Sequence, residues 1–199
     1  ISGISGNGTL GISLASGTAS DGAGNTAPAA GPSATFTVDN APPTIAIGSP
    51  SVSATDTGPV SFTVTYSGAS TVSLSAGSVT LNATGTATGT ISVTGSGTES
   101  RTVTVDTITG DGTLGISIAA GTASDAAGNT APSAGPSGTF IVDNTAPSIS
   151  IGPPSETITA SGPVSYTVTY TGASSVTLSP ADVSLNATGT ATGTVSVTG

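Results

Sequence analysis

The feature that most constrains this chain is a direct internal repeat. Displaced by 104 residues, the sequence overlays itself without a gap over 95 positions, 65 of them identical. Gly8-Thr9-Leu10-Gly11-Ile12-Ser13 falls on Gly112-Thr113-Leu114-Gly115-Ile116-Ser117, and Asp21-Gly22-Ala23-Gly24-Asn25 on Asp125-Ala126-Ala127-Gly128-Asn129. Val38-Asp39-Asn40 meets Val142-Asp143-Asn144, and Leu81-Asn82-Ala83-Thr84-Gly85 meets Leu185-Asn186-Ala187-Thr188-Gly189. Near-identical tandem periods of this length predict an array in which each period is a domain.

Within a period the apolar spacing is two. Phe62, Val64 and Tyr66 alternate with Ser61, Thr63 and Thr65, and the next copy repeats this as Tyr166, Val168 and Tyr170. Such alternation turns one face to a core and the other to water. Turn-forming clusters separate the runs, among them Thr57-Gly58-Pro59, Ser67-Gly68-Ala69 and Gly110-Asp111-Gly112. Lys and Gln are absent, so essentially no α-helix is expected. The complete period predicts strands near 44–48, 60–66, 71–75, 78–82, 89–95, 101–106, 112–119 and 137–142. About seven to eight short strands in such a length indicate an all-β fold of tandem immunoglobulin-like β-sandwiches with Greek-key connections. The small side chains imply a thin core, with neighbours or ions adding stability.

Composition excludes several function classes. The 199 residues include ten acidic side chains, one basic one (Arg101), and no His, Cys, Met or Trp. No imidazole or thiolate is present for a catalytic triad or a transition-metal site, and no Lys for a Schiff base. Glu99, Glu156, Asp56 and Asp182 do not recur between copies, so no glycosidase-type carboxylate pair stands out. A non-enzyme is expected. The net charge of −9 argues against nucleic acid and anionic membrane surfaces as partners. No apolar run reaches the roughly 18 residues of a membrane span, and no signal-like segment opens the chain, as expected of a window on a longer protein. Without Cys, Lys or Gln, neither disulfides nor isopeptide or ester cross-links can brace the sheets.

Two motifs carry a family resemblance. Thr122-Ala123-Ser124-Asp125-Ala126-Ala127-Gly128-Asn129-Thr130, followed by Phe140-Ile141-Val142-Asp143-Asn144-Thr145-Ala146-Pro147, resembles the bacterial Ig-like tandem repeats of giant extracellular adhesins and biofilm-associated surface proteins. The first motif recurs around Asp21 and Asn25; the linker recurs in weaker form as Val38-Asp39-Asn40-Ala41-Pro42-Pro43. The resemblance covers the whole chain and implies a secreted stalk or fibre on a bacterial surface. It also sets the frame: 1–40 is the back of one domain, 41–144 a complete one, and 145–199 the front of a third. Pro42, Pro43 and Pro147 stiffen the junctions.

Calcium is the metal this composition could hold, since only oxygen ligands are on offer. Sandwich topology brings the loop holding Asp125 and Asn129 to the end where the linker residues Asp39 and Asn40 arrive. The repeated positions are Asp21 and Asn25 in the loop and Asp143 and Asn144 in the linker; Asn7, or its copy Asp111, is an extra ligand candidate. The same residues serve equally as Asx turns. Thr63 with Thr65 and Thr167 with Thr169 form short Thr arrays of the kind that can order ice, or simply favour strands. Asn7-Gly8-Thr9, Asn82-Ala83-Thr84 and Asn186-Ala187-Thr188 match the N-glycosylation pattern, which in a bacterial chain reads as chance.

The expected role is therefore mechanical, a stalk or fibre spacer with an unknown surface or glycan target. Two alternatives stand beside it: a filament subunit joined by strand complementation, and a weak glycan- or ice-binding module. The parts 145–199 and 1–40 together come nine residues short of a period, the counterpart of 96–104. Neighbouring repeats are expected to complete the divided domain head to tail, either as parts of one continuous polypeptide, the habit of the family resembled, or by strand exchange between subunits.

Overall fold

The computed structural model describes residues 1–199 and divides into two units, Ile1–Asn144 and Thr145–Gly199. In the first unit, residues 1–40 contribute β1 (Gly8–Leu10) and β2 (Phe36–Val38). Ten strands follow: β3 (Thr44–Ile47), β4 (Ala54–Thr55), β5 (Val60–Ser67), β6 (Thr71–Val72), β7 (Val79–Ala83), β8 (Thr88–Thr94), β9 (Ser100–Thr109), β10 (Gly112–Ile118), β11 (Ala123–Ser124) and β12 (Phe140–Val142). The second unit holds β13 (Ser148–Pro154) and β14 (Tyr166–Thr171). Helix is confined to single 3-10 turns at Ala76–Ser78 and Pro180–Asp182, so the protein is all-β.

Residues 41–144 form two four-stranded sheets, ordered β3-β5-β9-β8 and β4-β12-β10-β7, with a small β11-β6 ribbon beside them. Every pairing is antiparallel except β4 with β12, which is parallel. The two sheets share one apolar core. Val60, Phe62 and Val64 of β5 and Val103 and Val105 of β9 come from one sheet; Leu114 and Ile116 of β10 and Phe140 and Val142 of β12 come from the other. Phe62 and Phe140 meet in a tilted pair with ring centroids 6.3 Å apart, a favourable aromatic geometry. Tyr66 donates its hydroxyl to Thr122 Oγ1 at 3.4 Å, both residues buried, so the phenol does not enter the core unpaired.

The outward face of the β3-β5-β9-β8 sheet is built of hydroxyls. Ser61, Thr63 and Thr65 of β5 stand opposite Thr104, Thr102 and Ser100 of β9. Thr104 and Thr102 stand in turn opposite Ser92 and Thr94 of β8. The Thr pairs seen along single strands are thus continued sideways across three strands. Near one end of β9 the register shifts, and Thr107 takes φ +51°, the only non-glycine residue with positive φ. Its counterpart in the preceding copy is Gly3, with φ +68°.

The expected strands are present, with differences that have local causes. The run expected over 71–75 pairs only as Thr71–Val72, because the chain turns at Ala76–Ser78, where Ser78 N–H donates to Ser75 O. The run expected over 137–142 begins at Phe140. Ile116 N–H donates to Ser137 Oγ at 2.9 Å, so a side chain stands where a ladder partner would. The two-residue strands β4 and β11 carry no readable alternation.

Residues 1–40 reproduce the pairing of the following copy. Gly8, Thr9 and Leu10 face Val38, Thr37 and Phe36, as Gly112, Thr113 and Leu114 face Val142, Ile141 and Phe140. In the second unit β13 pairs with β14 in the register of β3 with β5, Ser148 facing Thr171 as Thr44 faces Ser67.

Candidate functional site: the loop and linker around Asn129

The Asp125–Asn129 loop is a self-contained hydrogen-bonded turn. Asp125 Oδ1 accepts from Ala127 N–H and Asn129 N–H, both at 2.9 Å, and Oδ2 accepts from Asn129 Nδ2 at 2.8 Å. The backbone closes beneath it, Asp125 N–H donating to Asn129 O at 3.1 Å. Gly128 takes φ +93°, a conformation glycine adopts without steric cost. These donors favour the ionised carboxylate. The Asn129 side-chain bond foremost holds the Asp125 carboxyl below the usual aspartate value, against a smaller opposing effect of burial. Asp21 and Asn25 build the same loop one period earlier, where the Asn25 side chain likewise holds Asp21 low.

One bond joins this loop to the linker. Asn129 Nδ2 donates to Asp39 O at 2.9 Å, across 90 residues of sequence. Asp39 Oδ1 accepts from Ala41 N–H at 3.0 Å, closing an Asx turn at the start of the linker.

The second linker residue is held elsewhere. Asn40 N–H donates to Asn7 Oδ1 and Asn40 Nδ2 donates to Gly6 O, each at 2.6 Å. The same clasp recurs one period later, Asn144 bonding Asp111 Oδ1 and Gly110 O at the same distances. Asp143 N–H donates to Thr55 O at 3.1 Å, anchoring the end of β12 beside β4.

Of the residues read as a calcium set, Asp39, Asp125 and Asn129 come together around Asn129. Asn40 is turned into its own clasp with Asn7, and Asn144 into a clasp with Asp111. Asp21 and Asn25 form a loop bonded within itself. The donor set does not fit an ion cage as it stands. Asn129 faces two oxygen acceptors, Asp39 O and Asp125 Oδ2, so its amide nitrogen must point inward and its oxygen away. Calcium needs about six to eight converging oxygens, and no cluster of three or more acidic side chains exists in the molecule.

Arg101 was read from the sequence only as a charge. It is buried on β9, and its guanidinium donates to the carbonyls of Ser100, Gly97 and Val72 at 2.8, 2.9 and 3.1 Å. It ties the turn before β9 to β6. The alternation of β9 places position 101 inward, which was the available signal.

No family model, curated protein or solved structure matches this chain.

Proposed function

We propose that this chain is a structural repeat of a bacterial extracellular stalk or fibre, in which immunoglobulin-like sandwiches act as spacers. The observation that carries the reading is the 104-residue period expressed in the backbone. The strand registers, the Asp-Asn loop and the Asn clasp all recur at that interval. The sheet order β3-β5-β9-β8 over β4-β12-β10-β7, with the short β4 parallel to β12, supports an immunoglobulin-like, Greek-key arrangement. The Asn129 bond to the linker supports a junction that carries direction from one period to the next. The resemblance of the two motifs to adhesin repeats supports the surface setting.

Stretching the protein by single-molecule force tests the mechanical reading. A folded period of 104 residues should release about 350 Å of contour length when it opens. A featureless extension curve would remove the spacer role. Protease shaving of intact source cells, with the repeat detected in the supernatant, tests the location.

Calcium at the junction is an expectation carried over from the sequence, and the hydrogen bonds there would have to rearrange to admit it. Binding would require Asn129 to reverse its amide and Asp125 to exchange N–H donors for the ion. A calcium-dependent rise in melting temperature would show that exchange; insensitivity to a chelator leaves the junction to hydrogen bonds.

A second reading has one observation in its favour. The hydroxyl face spanning β5, β9 and β8 spaces its groups at the strand separation of about 4.8 Å and the two-residue rise of about 6.7 Å. Such a face suits ice or a glycan, and a thermal-hysteresis measurement separates ice binding from plain solvation.

A further inference from the structure

We propose that the outer edge of β8 is a pairing surface for β8 of a second copy of this chain. The inference goes beyond the lengthwise spacer reading and adds a sideways contact, within residues 41–144, whose two sheets already share one core. Strand β8 stands last in the order β3-β5-β9-β8 and pairs with β9 alone. Alternate N–H and C=O groups along its other edge therefore have no strand to bond. Proteins commonly guard such an edge with proline, charge or shortness. The edges on the far side of this sandwich are guarded in that way: β3 has four residues between Pro43 and Pro50, and β4 has two residues before Asp56. Strand β8 runs for seven residues with no proline and no charge. The register shift at Thr88–Thr90 leaves Thr90–Thr94 as its regular part.

The occupant is written in the strand itself. Thr90-Ile91-Ser92-Val93-Thr94 has the same chemical order in both directions about Ser92. Two copies laid antiparallel on a two-fold axis through Ser92 set Thr90 against Thr94, Ile91 against Val93 and Ser92 against Ser92. Thr90, Ser92 and Thr94 are exposed, while Ile91 and Val93 are half-buried against the core, so pairing covers more of both aliphatic side chains. One period on, the order recurs as Thr194-Val195-Ser196-Val197-Thr198, in which the two halves are identical. Strand β7, an edge of the other sheet, lacks this symmetry: Val79-Thr80-Leu81-Asn82-Ala83 sets Val against Ala and Thr against Asn. Charge does not oppose the contact, although the chain carries −9. Asp106 on β9 stands opposite Thr90. The axis places it three strand spacings, about 14 Å, from β9 of the second copy. That exceeds a screening length of about 8 Å at physiological ionic strength. The joined sheet has eight strands, and its hydroxyl face runs across the joint.

The two-fold axis makes the pairing testable. The chain has no cysteine, so any disulfide in a Ser92→Cys chain joins two copies. Directly opposed residues on antiparallel strands have Cα atoms about 4.5–5.5 Å apart, within disulfide reach. Under mild oxidation Ser92→Cys should therefore link to itself, giving a species of twice the 18.4 kDa chain mass on a non-reducing gel. Thr90→Cys should not link to itself, because its two copies stand four residues out of register, about 13 Å apart. It should link to Thr94→Cys when the two chains are mixed. Sedimentation of the unaltered chain should show reversible pairing that grows with concentration. Ser92→Lys, which sets two ammonium groups face to face, should weaken that pairing about tenfold or more, and Thr80→Lys on β7 should leave it unchanged. A chain that sediments as a monomer at every concentration overturns the proposal and leaves the edge to a strand of another protein. Thr90→Cys linking to itself as readily as Ser92→Cys overturns it as well. Neither result touches the unfolding steps that test the spacer reading.

Discussion

Residues 79–83 and 183–187 are nearly the same sequence, and they end in different states. Val79–Ala83 is a strand paired along its length with β10, whereas Val183-Ser184-Leu185-Asn186-Ala187 has no strand pairing. The same holds for Leu114, fully buried, and its copy Leu10, 37% exposed. Alternation supplies the apolar face in every copy, but a strand exists only where another lies within reach of its N–H and C=O groups. The difference between the copies is one of neighbours, since the side chains are conserved across the repeat.

The largest test of this comparison is a matched pair of core truncations. Phe140→Ala removes a buried ring and should cost about 3–5 kcal/mol in urea unfolding. Phe36→Ala, at the same place in the repeat, should cost less, about 1–2 kcal/mol, because its ring is already 44% exposed. Equal losses would mean that residues 1–40 bury their apolar face.

A second pair separates the loop from the linker. Asn129→Asp sets a carboxylate against Asp125 and Asp39 O, breaking both side-chain bonds, and should destabilise by about 1–3 kcal/mol. Asn25→Asp breaks only the bond to Asp21, so it should cost less and leave amide exchange at Asp39–Ala41 unchanged. Equal effects would show that the Asp39 bond carries no weight at the junction.

Acid provides the third comparison. Asp125 and Asp21 are held below the ordinary aspartate value of 3.8 by their Asn partners. A depressed folded pKa contributes stability above the unfolded value and loses it as pH falls through the folded one. Melting temperature should therefore decline as pH drops below about 4, and Asp125→Asn should flatten that decline. Both carboxylates are exposed, so the change is small and salt-sensitive.

The smallest expected effect is a gain. Thr107 holds a left-handed φ that its counterpart Gly3 adopts without a Cβ, so Thr107→Gly should raise stability by about 0.5–1 kcal/mol. A loss would assign value to the 3.4 Å contact between Thr90 Oγ1 and Thr107 Oγ1.

Much of this was legible from residue spacing. The period-two runs located β3, β5, β8, β9 and β10 to within a few residues, because a half-buried strand writes its two faces directly into sequence. Strands β4 and β11, with two residues each, have nothing to alternate. The Asp125 and Asn129 pairing was visible as a loop motif, but the direction of the Asn129 amide was not. That depends on Asp39 O, which lies 90 residues away and is a backbone atom common to every residue type. Arg101 shows the same limit: its partners are three carbonyls, and no side chain announces them.

The hydroxyl face of the β3-β5-β9-β8 sheet has a consequence for how the surface responds to its surroundings. Across Ser61, Thr63, Thr65, Ser100, Thr102, Thr104, Ser92 and Thr94 there is no group that gains or loses a proton between mild acid and mild alkali. One charge does reach the face: Asp106 of β9, opposite Thr90, accepts from Ser92 Oγ at 3.0 Å. Away from Asp106, whatever rests on the face, water or ligand, meets the same array of rotatable O–H dipoles in brackish, acidified or fresh surroundings. Its grip there can be changed by temperature or by competing hydroxyl compounds, and dissolved salt acts on it chiefly at the edge where Asp106 bonds Ser92.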